Sequence, residues 1–332
     1  MVEGFSQKQG IDFDKIFSPI VKISSIRVVL RLVASLDLEL QQLDVKIAFL
    51  HGNLKEEIYM DQLEGFKVKG KEHMLCKLKK SLYGLKQTPR QWYKKFDSFM
   101  VGHGYTRTNA NHCMYVIKFS ISKFVILLLY VDDVFIVGQD VSVIGNLKDL
   151  FKSFDMEDLG PARKILGMQI LCDRKAKKLR LSQENYIERV LERFNMKHIK
   201  LVSTPSSSHF KLRKTSCSSS KKEKGDIASI IYSLVVGSLM YAMVYTQPNI
   251  THAVGVVSRF MVKPRKDHWE VVKWIFKYLR GSSKLFLTFG DSKLVLKGYV
   301  DADWAGDLDG RKSTSKCLFT FAGGAVSWQT RL

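Results

Sequence analysis

Carboxylates are scarce in this chain. Its 332 residues carry 32 Asp and Glu against 53 Lys and Arg, a net charge of +21 with pI ≈ 9.7. Such an imbalance disfavours a cationic partner and favours a polyanion. Cysteine is scarce as well. Cys76, Cys113, Cys172, Cys217 and Cys317 are odd in number, far apart and without a CxxC pair, which argues against a disulfide framework or a zinc ribbon and for a reducing compartment. His112 beside Cys113 is the one close His/Cys pair, and without a second pair it reads as structural. Long hydrophobic runs are missing too. The apolar run ending at Val131 is too short to span a bilayer, and the polar Met1–Gly10 reads as no signal peptide, so no membrane partner is expected.

Against that scarcity, two adjacent carboxylates stand out. Phe124–Val131 and Val134–Val137 are apolar runs of strand length, and both reach a core only if the chain reverses between them. Asp132 and Asp133 are then expected to be the turn. Asp is common in turns for reasons of backbone hydrogen bonding, so the pair alone proves nothing. A third carboxylate, Asp44, opens another mixed apolar stretch, Leu43–Leu50. Converging three would be costly without cations, since two unit charges about 4 Å apart repel by roughly 4 kcal/mol at an effective dielectric near 20. Two divalent cations would remove that cost and could activate a hydroxyl and stabilise a leaving pyrophosphate.

Further along the chain, Lys77, Lys79, Lys80, Lys86, Arg90, Lys94 and Lys95 fall in one stretch without an acidic residue, interleaved with Tyr83, Trp92 and Tyr93. This pattern suits a nucleic-acid groove, and equally a solvated basic helix whose aromatics enter the core. A helix is expected over 20–40, with Ile26, Val29, Leu30 and Val33 at helical intervals, and another over 182–198, with Ser182 as N-cap, a stripe of Ile187, Val190, Leu191 and Phe194, and Asn195 as stop. Eight serines and clustered lysines between 203 and 224 read as a linker. Helical patterning returns over 226–280, broken at Pro248 and Pro264, and 294–300, 315–321 and 325–328 read as short strands.

Several of these segments resemble, in order and spacing, the reverse transcriptase of copia-type LTR retrotransposons: LDVKIAFLHGNLKEEIYM (43–60), CKLKKSLYGLKQTPRQWYKKFDSFM (76–100), LLLYVDDVFIVG (127–138) and FDMEDLGPARKILGMQI (154–170). GSLMYAMVYTQPNITHAVGVVSRFM (237–261) and GYVDADWAGDLDGRKSTS (298–315) resemble that Pol polyprotein's connection region and the start of its ribonuclease H domain. The resemblance implies an α+β fold: a ferredoxin-like polymerase palm with partial fingers over 1–202, the linker 203–225, a helical connection region over 226–290, and an incomplete ribonuclease H-like sheet over 291–332. It implies RNA-directed DNA polymerase activity with two Mg²⁺ ions, replaceable by Mn²⁺, held by Asp44, Asp132 and Asp133. Phe49 would lie beneath the incoming sugar, Gln87 would contact the nucleotide, and Leu166 and Gly167 would grip the primer end. Asp301 matches the first ribonuclease H carboxylate. Implied partners are an RNA template, a DNA or tRNA primer and dNTPs, in a cytoplasmic retrotransposon particle and the nucleus.

Departures from the family's pattern carry an alternative. VEGFSQKQGIDFDKIFSPI (2–20) matches the end of the fingers, so the basic strands for the triphosphate are expected to be missing, and the remaining ribonuclease H ligands are expected beyond Leu332, leaving no RNA-cutting activity. His51 stands where the family has Asn, and Lys316 and Cys317 where it has Gly and an aromatic. The alternative is a nucleic-acid-binding remnant without catalysis.

Overall fold

The computed structural model describes residues 4–120, 123–207, 210, 212, 232–262, 264–290, 293–307 and 309–332. It is a mixed α/β structure with antiparallel sheets, divided into two compact units: 1–26 with 38–162, and 27–37 with 163–332. The first helix, α1 (Ile23–Leu36), runs through the point of division. It is shorter at both ends than the expected 20–40, because Glu39 already begins a strand.

In the first unit the strands are β1 (Glu39–Val45), β2 (Tyr59–Met60), β3 (Cys76–Lys77), β4 (Thr106–Thr108), β5 (Asn111–Lys118), β6 (Phe124–Tyr130), β7 (Asp133–Gly138) and β8 (Met156–Pro161). Helix α2 (Thr88–Gly102) lies between β3 and β4, and α3 (Val141–Leu150) between β7 and β8. Six strands make one sheet in the order β4-β5-β6-β7-β1-β8. The last three neighbours follow from chain chemistry. Apart from Asp133 at its tip, the β6–β7 hairpin is apolar, and Leu127, Val134, Ile136 and Val137 are fully buried, so it takes the middle of the sheet and more polar strands flank it. β1 inserts between β7 and β8, pairing Leu43 with Val134 on one side and with Asp158 on the other. The elements β1, α2, β6, β7, α3 and β8 thus interleave as a split βαββαβ unit. α2 begins with Pro89 in its first turn, where a missing N–H costs nothing, and α3 is capped by Asp140, whose carboxylate accepts from Ser142 N at 2.9 Å. An aromatic layer of Trp92, Phe96, Tyr115, Phe151 and Phe154 packs between helix and sheet.

In the second unit β9 (Lys164–Ile165), β10 (Met168–Asp173), β11 (Lys178–Ser182) and β12 (Leu287–Gly290) form a sheet in the order β12-β11-β10-β9. Helices α4 (Glu184–Arg193), α5 (Tyr232–Tyr245), α6 (Thr251–Ser258) and α7 (Lys266–Gly281) enclose a core that includes Ile187, Leu191, Val236, Leu239, Val254, Ile275 and Phe276. Helix α4 is shorter than the expected 182–198: Ser182 ends β11, its hydroxyl accepting from Glu184 N, and Asn195 (φ 55) turns the chain in the left-handed region after the last turn. A third sheet, β13 (Leu296–Ala302), β14 (Ser315–Phe321) and β15 (Gly324–Arg331), has β13 exposed along its whole length. Two buried arginines of α1 hold β15. Arg27 donates to the carbonyls of Val326, Val244 and Tyr245 and lies over the Trp328 ring, and Arg31 donates to those of Ala322 and Thr288. Burial lowers both guanidinium pKa values, to about 9 and about 10.

Of the Ser/Lys-rich segment 203–225, residues 208, 209, 211 and 213–225 lie outside the described residues. Among the described residues no helix is long and apolar enough to cross a membrane.

Candidate active site

The three aspartates meet at one end of the first unit's sheet. Tyr130 pairs with Asp133, so the reversal between β6 and β7 is a two-residue turn, Val131–Asp132. This corrects the sequence expectation that both aspartates form the turn. Asp133 is already the first residue of β7, because the tight loop lets pairing continue to the tip. Its neighbour across the next pair of strands is Asp44 on β1, and Val45 N donates to the Asp132 carbonyl at 3.0 Å. Asp132 is exposed, whereas Asp44 and Asp133 are half-buried.

Their electrostatics follow from that placement. Partial burial, then repulsion from Asp132 and Glu157, raises the pKa of Asp44, and Lys46 only partly offsets this. Burial raises Asp133 as well, with further repulsion from Asp132 and Asp44, opposed by Gln42, whose amide donates to Oδ1 at 2.8 Å. Glu157 is a fourth carboxylate that the sequence reading missed. It sits on β8 opposite Asp44, and only the long-range register of β1 with β8 brings it there. Its contact with Lys46 at 3.7 Å joins two largely exposed side chains and neutralises little. Among the described residues no three His, Cys, Asp or Glu side chains are gathered closely enough to hold one ion. The donor set is nonetheless all oxygen and its charges repel one another, which fits a hard divalent cation drawing the side chains together.

The other candidates of the first unit are in different states. Phe49 lies in a 3₁₀ turn, Ala48–His51, directly after Ile47 in the left-handed region (φ 48), and its ring meets Tyr83 with centroids 5.1 Å apart. Gln87 is fully buried with both ends of its amide engaged: Oε1 accepts from Gln7 Nε2 at 3.1 Å, and Nε2 donates to the Asp12 carbonyl at 3.1 Å. His51 is wedged against Trp92 and Phe154, and its buried Nε2 has no hydrogen-bond partner among the described residues.

The basic stretch divides between the two readings. Trp92 and Tyr93 are core residues, whereas Tyr83 is 43% exposed. Lys77 pairs with Glu57, Lys86 Nζ donates to the Gln7 carbonyl at 2.9 Å, and Arg90 to that of Phe17 at 2.9 Å. Lys94 is lowered by burial and then by repulsion from Arg90, Lys55 and Lys15. These four cations form a concentration of positive charge that an anion would relieve.

In the second unit, Leu166 (φ 49) and Gly167 (φ 71) form a two-residue turn between β9 and β10, with the Tyr241 hydroxyl donating to the Leu166 carbonyl at 2.8 Å. Leu takes the left-handed conformation at a cost, and a Cβ on Gly167 would stand 3.2 Å from the Tyr241 hydroxyl. Asp301 is exposed on β13 and accepts from Lys316 Nζ of β14 at 3.2 Å.

Comparison with known proteins gives the family of the chain. Residues 1–208 match the family described as reverse transcriptase (RNA-dependent DNA polymerase). Over its full length the chain is 63% identical to the retrovirus-related Pol polyprotein from transposon TNT 1-94 of Nicotiana tabacum and 36% identical to that from transposon RE1 of Arabidopsis thaliana, covering 25% and 22% of those proteins. It is 28% identical to the transposon Ty5-1 protein of Saccharomyces cerevisiae over 87% of the chain and 92% of that protein. The chain therefore spans about a quarter of the two plant polyproteins. With a family match over residues 1–208 and a resemblance to retrotransposon Pol along its whole length, the chain belongs to the reverse transcriptase family.

Proposed function

We propose that the first unit carries the centre of an RNA-directed DNA polymerase, its split βαββαβ sheet being the palm and the segment before β1 the end of the fingers. The observation that carries this reading is the placement of Asp44, Asp132 and Asp133 at one sheet end, where burial first and then repulsion from neighbouring carboxylates raise Asp44 and Asp133. These three carboxylates would hold two Mg²⁺ ions, for which Mn²⁺ can substitute. When bound, such a pair supplies activation of a primer 3′-hydroxyl and charge stabilisation of the departing pyrophosphate.

The chain's own residues do the rest. Gln42 orients Asp133 through its hydrogen bond. Phe49, braced by Tyr83, would set the floor beneath the incoming sugar and exclude a 2′-hydroxyl. The cations around Lys94 would draw phosphates of template or nucleotide to α2. Leu166 and Gly167 would grip the primer end, and Gln87 would reach the nucleotide only on release from Gln7 and Asp12. Substrates in this reading are an RNA template, a DNA or tRNA primer and dNTPs, in a cytoplasmic particle and the nucleus. The layout is fingers and palm over 1–202, linker over 203–225, connection over 226–290 and the start of a ribonuclease H-like domain from 291, in which Asp301 alone would mark the nuclease site.

A second reading, a nucleic-acid-binding remnant without catalysis, is favoured by the internally bonded Gln87 and by carboxylates not gathered around one point. Extension of a DNA primer on an RNA template with Mn²⁺ separates the two. Polymerase activity that is lost in Asp132→Asn supports the enzyme. Salt-sensitive binding of the hybrid without incorporation, the same in wild type and variant, supports the remnant.

A further inference from the structure

The turn that presents the aspartates is strained. Val131 has φ 59, the left-handed region, which a β-branched side chain adopts only when something else enforces it. Two hydrogen bonds enforce it. The indole Nε1 of Trp92 donates to the Val131 carbonyl at 2.6 Å, and the next carbonyl, that of Asp132, accepts from Val45 N at 3.0 Å. Both carbonyls of the turn are therefore held by protein. Trp92 is itself 1% exposed and fixed on several sides, its ring 5.5 Å from those of Phe96 and Phe154 and 5.8 Å from that of His51. A ring so confined cannot follow a moving turn, and the turn must come to it.

The same device recurs in the second unit. There the first residue of a two-residue turn, Leu166, is again a non-glycine in the left-handed region (φ 49), and again an aromatic donor, the Tyr241 hydroxyl, takes its carbonyl at 2.8 Å. Each of the two turns that the family resemblance singles out is thus pinned at the same atom by a ring from a helix.

We propose that Trp92 is a positioning residue for the carboxylates: its indole N–H locks the Val131–Asp132 turn in the left-handed form and so fixes the directions in which Asp132 and Asp133 leave the backbone. Without the N–H, Val131 relaxes toward negative φ, the peptide between Val131 and Asp132 rotates, and the two carboxylates lose their common aim. The proposal rests on the polymerase reading for its consequence but not for its structural content, and the two are tested separately.

Trp92→Phe keeps an aromatic ring in the layer while deleting the donor and trimming part of the indole's volume. Hydrogen exchange of the purified full chain without metal reads the lock directly. The amides at the tip, Val131 to Val134, should exchange faster in Trp92→Phe while those of α2 and β1 keep their wild-type rates. Val131→Gly in the Trp92→Phe background, where the left-handed turn carries no steric penalty, should slow tip exchange back toward wild type. The double variant also serves should Trp92→Phe fold poorly. Mn²⁺ titration followed by electron paramagnetic resonance gives the second readout: affinity in Trp92→Phe should fall about tenfold, the size typical of losing a group that orients a ligand. In primer extension kcat should fall by a like factor with KM for dNTP unchanged. Tip exchange and Mn²⁺ affinity both equal to wild type in Trp92→Phe would overturn the proposal and leave Trp92 a core residue. If wild type binds no Mn²⁺ and extends no primer, the polymerase reading fails, and the exchange experiment still decides whether Trp92 locks the turn.

Discussion

Replacing Asp133 by Asn should stabilise the metal-free protein while removing the proposed polymerase activity. Asp133 is half-buried beside Asp44, with Asp132 next to it in the turn, and it accepts from Gln42. Asn keeps an acceptor for Gln42 and deletes one of three negative charges. A like charge about 8 Å away costs roughly 2 kcal/mol at an effective dielectric near 20. Exposure of Asp132 and screening over a Debye length of about 8 Å at physiological salt reduce this, leaving a gain of about 1 kcal/mol. For a chain of 332 residues that is a rise in Tm of roughly 1–2 °C, where an average substitution destabilises by about 1 kcal/mol. The folded-state pKa of Asp133 lies above the ordinary carboxylate value, so just above that value the folded protein binds more protons than the unfolded chain. Wild-type stability from this group therefore increases as pH falls through that window, and the advantage of the variant closes there. Manganese should reverse the order, raising Tm in wild type but not in the variant. Thermal melts in EDTA and in Mn²⁺ at pH 7.5 read all of this. A variant less stable than wild type in EDTA, or equal stabilisation of both by Mn²⁺, would refute the reasoning.

Three further outcomes follow from other parts of the molecule. Arg27→Met should lower the stability of the second unit by about 2 kcal/mol in urea unfolding, because the stem still packs on Trp328 while the buried carbonyls that Arg27 satisfied are left unpaired. His268, buried and stacked on Phe260, has its pKa pushed down from 6.5 to about 4, so it stays neutral in the folded protein while the unfolded chain takes up a proton. Stability should then fall by up to about 3 kcal/mol between pH 6.5 and 4, and His268→Phe should flatten that part of the urea-midpoint profile. Phe49→Val should raise ribonucleotide over deoxynucleotide incorporation in primer extension, whereas equal loss for both sugars would return Phe49 to simple packing against Tyr83.

How much of this was legible in the sequence depended on whether the signal was local. The β6–β7 hairpin shows as two apolar runs around a polar tip, and the α1 stripe of Ile26, Val29, Leu30 and Val33 is buried as its spacing implies. The exact residue at which the hairpin turns was not legible, because an Asp pair suits a turn at either register and only strand pairing decides it. Gln87 sits among Gly, Lys and Thr, and nothing local marks its burial by partners, Gln7 and Asp12, that lie far away in sequence. Nothing local marks the burial of Arg27 and Arg31 either. They are buried because backbone carbonyls of distant segments, at sheet and helix ends, need donors. Glu157 joined the carboxylates only through the β1–β8 register. Val131 carries no sequence mark of strain at all, since the cause lies in Trp92 on another element.

The central claim is that Asp44, Asp132 and Asp133 together hold divalent cations at the point of nucleotide transfer. Anomalous scattering from crystals of the chain grown with a primer–template hybrid, a non-hydrolysable dNTP and Mn²⁺ tests it most directly. The account expects manganese peaks within coordination distance of carboxylate oxygens from all three aspartates and of the triphosphate, and no such peaks in Asp132→Asn. Nucleotide and hybrid bound with manganese absent from these side chains, or held by other residues, would contradict it.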